Sequence, residues 1–145
     1  MELDSPKSTS LCVWNDQLYS GLSDGNIKKW NNKGECTQIL KGHTSPVYCL
    51  TIWNDFLVSG SNDKTIKLWN SQGECVDTLN EHIDYVNCLI VWNNSLYSGS
   101  MDKTIRKWEE RDQVQFNLKY LFQIKIFIDQ LTINLKFRKS LALKF

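Results

Sequence analysis

LVSGSNDKTIKLW, running from Leu57 to Trp69, holds two short apolar stretches separated by a polar turn and closed by tryptophan. Its apolar residues alternate instead of recurring every three or four, so it reads as two strands joined at Asn62-Asp63-Lys64. The same design stands 39 residues earlier as LYSGLSDGNIKKW (Leu18 to Trp30) and 39 residues later as LYSGSMDKTIRKW (Leu96 to Trp108), without an insertion. Trp14, Trp53 and Trp92 keep that interval at another phase, which places all six tryptophans on one period. A period of this length marks a repeat architecture and governs how every other segment is read.

Around Leu57 to Trp69, the middle unit reads as four strands: Val47 to Thr51, Phe56 to Ser59, Thr65 to Trp69 and Cys75 to Leu79. Asn54-Asp55, Asn62-Asp63-Lys64 and Asn70 to Gly73 join them, built from residues that tolerate left-handed backbone or bond their own amides. Four antiparallel strands in about 39 residues make one blade of a β-propeller. The expected fold is all-β, with about three four-stranded antiparallel blades. The expected organisation is a disordered or partial strand over 1–8, then units over 9–41, 42–80 and 81–112. The third is incomplete, with a fourth strand over 114–120, and 113–145 forms an atypical basic, apolar tail.

The 145 residues carry 17 basic and 16 acidic side chains, a formal net charge of +1, with 41% apolar residues. That balance gives no electrostatic reason to expect a nucleic-acid or membrane partner. Glu2 and Asp4 precede any apolar run, unlike a secretory signal, and no apolar stretch approaches the ~18 residues of a spanning helix, so a cytoplasmic location is expected. The five cysteines follow the same period: Cys36 and Cys75 are equivalent, as are Cys49 and Cys88, leaving Cys12 alone. They are expected to be reduced, mostly buried thiols.

These residues resemble the WD40, or GH-WD, repeat family of β-propellers. Gly42-His43 matches its GH dipeptide, and Ser59 to Asn70 matches SGSxDxTIKxWD, with Asn70 where the family usually has Asp. The third unit has Glu81-His82 in place of GH, and the first has Asp4 where a histidine is expected. The resemblance covers roughly residues 9 to 108, and is similar in detail to WD repeats of protist myosin heavy chain kinases and F-box/WD proteins. It implies a structural hydrogen-bond network of His43, Ser59, Asp63 and Trp69, repeated as His82, Ser98, Asp102 and Trp108. Such a network satisfies buried polar groups while fixing their rotamers.

A Ser-His-Asp set also raises the reading of a hydrolytic triad. Its recurrence in two consecutive units suits a packing device, and no nucleophile elbow accompanies it. Two histidines and cysteines scattered over different units supply no metal-ligand pair, and no glycine-rich phosphate loop precedes a helix. No enzyme activity, metal or cofactor is therefore expected. Lys64, Lys67, Lys103, Arg106 and Lys107 read as solvated strand faces and turns, because residues 1–112 carry 11 basic against 15 acidic side chains.

Closed propellers have typically 4–8 blades, and about three leave apolar faces of the first and last blades uncovered. The sequence is therefore expected to be truncated or part of a larger propeller, or to pair with another copy or another propeller segment. From Gln113 onward the composition changes: no Gly, Pro, Trp, Cys or His, and six basic residues against Asp129 alone. Its alternation suits strands, and equally a β-prone aggregation hazard. The leading functional expectation is a non-catalytic protein-protein interaction scaffold binding a protein or peptide. The alternatives are a degenerate relic without independent function and a substrate-recruiting segment of a kinase or ubiquitin-ligase assembly.

Overall fold

The computed structural model describes residues 7–109, which contain eleven strands. Blade 1 consists of β1 (Ser8–Trp14), β2 (Gln17–Leu22), β3 (Ile27–Trp30) and β4 (Cys36–Leu40). Blade 2 consists of β5 (Val47–Trp53), β6 (Phe56–Ser61), β7 (Ile66–Trp69) and β8 (Cys75–Leu79). Blade 3 has β9 (Val86–Trp92), β10 (Ser95–Ser100) and β11 (Ile105–Trp108) among the described residues. Each sheet is an antiparallel meander in chain order. The strand expected over 114–120 and the tail over 113–145 lie outside the described residues, as do residues 1–6.

Local chemistry explains the strand ends. Asn54 and Asp55 both have positive φ, 48° and 59°, as do Asn15-Asp16 and Asn93-Asn94, which matches the right-handed twist of a two-residue hairpin. With so tight a turn the pairing runs to its edge, Trp53 opposite Phe56, so β5 extends two residues beyond the sequence reading. Conversely β7 begins at Ile66, because Thr65 is held by Asp63 through both its N–H (3.0 Å) and its hydroxyl (2.6 Å).

Two cores form, each between successive blades. Trp14, Tyr19 and Ile27 of blade 1 pack with Val47, Leu50, Leu57 and Trp69 of blade 2. Trp53, Val58, Ile66 and Leu68 of blade 2 pack with Val86, Leu96 and Trp108 of blade 3. Each blade thus has a forward face turned to the next blade and a backward face turned to the previous one, as the period-two alternation of the strands requires. The repeated glycine of the Ser-Gly pair permits the approach: a Cβ on Gly60 would stand 2.7 Å from Val86 Cγ1, and one on Gly21 would stand 2.8 Å from Val47 Cγ1.

The cysteines are free, but the expectation that most are buried is corrected. Cys49 is buried between blades 2 and 3, Cys12 is half-buried, and Cys36, Cys75 and Cys88 are exposed. Cys36 and Cys75 open β4 and β8, the strands at the sheet edges, and both side chains are exposed. Cys88 occupies the repeat position of Cys49, on the forward face of blade 3, which no other blade covers among the described residues.

Candidate functional site

The antiparallel order brings the β2–β3, β6–β7 and β10–β11 turns to one end of the sheets, together with the links β4–β5 and β8–β9. His43 and His82 sit in those links, Asp63 and Asp102 in the turns, and Ser59, Trp69, Ser98 and Trp108 on strands reaching that end. The structure brings each set of four together.

In blade 2 the indole Nε1–H of Trp69 donates to Ser59 Oγ at 2.8 Å, and Ser59 Oγ lies 2.7 Å from His43 Nε2. His43 Nδ1 lies 2.8 Å from Asp63 Oδ2. Because the carboxylate only accepts, Nδ1 carries the ring proton, and the serine hydroxyl donates to the free Nε2. Every polar atom in the string has a defined role. Blade 3 repeats it: Trp108 to Ser98 at 2.8 Å, Ser98 to His82 at 2.7 Å, His82 to Asp102 at 2.6 Å.

The carboxylates also organise their turns. Asp63 accepts the N–H groups of Thr44 and Thr65 and the Thr65 hydroxyl, and Asp102 accepts the equivalent groups of Ile83 and Thr104. Burial would raise both carboxyls. For Asp63 the hydrogen bonds from His43 and Thr65 outweigh burial, and for Asp102 those from Thr104 and His82 do so, holding both well below the usual carboxylate range. Sequence reading missed the threonines as members of the network, although their signal was present in the repeated Asp-Lys-Thr. It also missed Ser61 and Ser100, whose hydroxyls donate to the Ser45 and Asp84 carbonyls at 3.0 Å and tie the links down.

Ser-His-Asp in series has the order of a hydrolytic triad, yet the surroundings deny it that chemistry. Ser59 and Ser98 are buried, the His43 and His82 side chains are sealed from solvent, and each serine oxygen already holds an indole N–H. A nucleophile must reach a substrate atom, and these hydroxyls face protein on every side. Among the described residues, no group of three or more His, Cys, Asp or Glu side chains is placed to hold a metal ion. Burial, and secondarily the charge of Cys88, push the Cys49 thiol up to about 12, which leaves it protonated and unreactive at neutral pH.

Blade 1 keeps part of the network. Trp30 Nε1 donates to Ser20 Oγ at 2.9 Å, while Asp24 turns its carboxylate onto Asn26, accepting from its N–H and its amide at 2.9 Å each. In blade 3, Glu81 replaces the glycine of blade 2 and pairs with Arg106 at 3.0 Å on the surface.

Where the rim meets solvent, blade 3 departs from the period. Ile83, Tyr85 and Met101 are exposed, at positions occupied in blade 2 by Thr44, Pro46 and Asn62. Their backbone is pinned: Ile83 N–H to Asp102, and Met101 N–H to the Tyr85 carbonyl at 2.9 Å. The result is a small apolar patch on a fixed frame.

The comparisons agree with this geometry. Residues 34–70 and 73–109, just over half of the chain, match the family described as WD domain, G-beta repeat. The crystal structure of the computationally designed Ika8 protein is similar at 30% identity and a TM-score of 0.64, over 72% of this chain and 33% of that one. The structure of U3-55K is similar at 28% identity and 0.67, over 74% and 38%. The WD40 beta propeller domain of Doa1 is similar at 31% identity and 0.61, over 69% and 36%. The chain thus spans roughly a third of the length of these structures. No curated protein matches it by sequence.

Proposed function

The chain belongs to the WD40 family, and from that premise we propose that it is a non-catalytic scaffold whose network-bearing rim binds a protein or peptide. The observation that carries the reading is the patch of Ile83, Tyr85 and Met101, exposed on links whose backbone is anchored by Asp102 and by the hydroxyl of Ser100. A rim fixed in advance loses little conformational entropy when a partner docks, and exposed apolar side chains supply contact area. Its residues break the repeat where neighbouring positions obey it, so they serve something other than the blade itself.

The unit's likeness to WD repeats of myosin heavy chain kinases and F-box/WD proteins extends the reading to recruitment of a substrate for a catalytic partner in the cytoplasm. The experiment is capture of interacting proteins by the purified chain, set beside Ile83→Asp and Met101→Asp. The scaffold reading expects reproducible capture by the native chain and its loss in both variants with thermal unfolding unchanged. Absence of any reproducible partner, or capture indifferent to both substitutions, contradicts it.

A further inference from the structure

Identical repeat positions have opposite fates in successive blades. Trp14 and Trp53 on the forward faces of blades 1 and 2 are each 6% exposed, whereas Trp92, their equivalent in blade 3, is 62% exposed. Ile27 and Ile66 are fully buried, and Ile105 is 80% exposed. Cys88 and Ile90 share that uncovered face. On the backward side, Leu50 and Ile52 of blade 2 pack against blade 1, and Leu89 and Val91 of blade 3 pack against blade 2. Their equivalents in blade 1, Leu11 and Val13, are 62% and 66% exposed. The described residues therefore present one exposed forward face and one exposed backward face, of the same design as the faces that mate twice among them.

We infer that a second copy of the chain covers both. The forward face of blade 3 in each copy packs on the backward face of blade 1 in the other, continuing the relation already seen between blades 1 and 2 and between 2 and 3. Two copies give six blades, within the usual range for closure, and a head-to-tail contact whose rotation closes leaves no free face. The polar chemistry continues as well. Trp53 Nε1 donates to the Asn94 carbonyl of the next blade at 2.9 Å. Trp92 stands at the position of Trp53, and the acceptor equivalent to Asn94 is the carbonyl of Asp16 in the second copy, at the tip of an exposed hairpin. Lys107 does not obstruct the contact, since Lys29 holds the same position on the covered forward face of blade 1, with Nζ 5.9 Å from the Tyr19 ring.

The test is the mass in solution of the full chain and of two surface variants, Trp92→Arg on the forward face and Leu11→Asp on the backward face, by light scattering during gel filtration. The native chain is expected at twice its 16.9 kDa. Each variant alone is expected at the single-chain mass, because each substitution enters both contacts of the ring. Mixing the two variants is expected to restore the double mass, since one contact then joins native Trp92 to native Leu11. Near-ultraviolet circular dichroism verifies that each variant stays folded. A monomeric native chain, whether its faces are covered by its own residues 110–145 or by nothing, overturns the inference. So does a dimer that survives both substitutions, or a mixture that stays monomeric.

Discussion

Ser59 Oγ sits 2.7 Å from His43 Nε2 and also receives the indole N–H of Trp69, so one buried hydroxyl satisfies two side chains from different elements. Blade 1 has no histidine at the equivalent position, and among the described residues Ser20 accepts the indole N–H of Trp30 without a histidine partner. The pair is a natural comparison for what the complete network contributes.

Ser59→Ala leaves both the Trp69 donor and the His43 acceptor buried without a partner, each at a cost of about 1–3 kcal/mol. Ser20→Ala strands one donor and should cost less. Urea unfolding followed by tryptophan fluorescence measures both, and equal losses would argue that the histidine link contributes nothing.

Acid should weaken the fold through Asp63 and Asp102. Both carboxyls are held lower in the folded chain than their unfolded value of 3.8, so the folded state binds fewer protons once the unfolded chain begins to titrate. Their contribution is fully present above the ordinary carboxylate range and is lost as pH falls below about 4 towards the folded pKa values. Urea midpoints from pH 7 to pH 3 should drop on that limb. Asp63→Asn should lower the midpoint at neutral pH and flatten the acid limb, and an unchanged acid slope would count against this assignment.

Gly60→Ala places a methyl 2.6 Å from Cys49 Sγ in the same blade and 2.7 Å from Val86 Cγ1 across the boundary to blade 3. Overpacking of this kind costs about 1–3 kcal/mol. Val86→Ala in the same chain should return part of the loss, giving a coupling energy in a double-mutant cycle of unfolding free energies. Strict additivity would mean that the two residues do not meet as described.

Much of this was legible because a repeat states its rules three times. Trp30, Trp69 and Trp108 at a constant spacing fixed the blade unit, and the recurring histidine, serine and aspartate pointed to a shared packing role. Burial was less legible, since it depends on what lies across the sheet: Cys49 and Cys88 hold the same place in the repeat, yet among the described residues one has a blade over it and the other is exposed. Two members of the rim patch, Ile83 and Met101, were hidden for the converse reason. Ile83 and Met101 are deviations from the pattern, and a search for regularity passes over them until the fold sets them side by side.

Crosslinking from defined positions shows whether the network-bearing rim is the binding surface. A photoreactive amino acid is placed at Ile83, at Met101 and, on the opposite rim, at Asn54, and each chain is irradiated in extract. A binding rim gives the same protein adduct from positions 83 and 101 and none from 54. Adducts from position 54 alone, or none from any position, would contradict it.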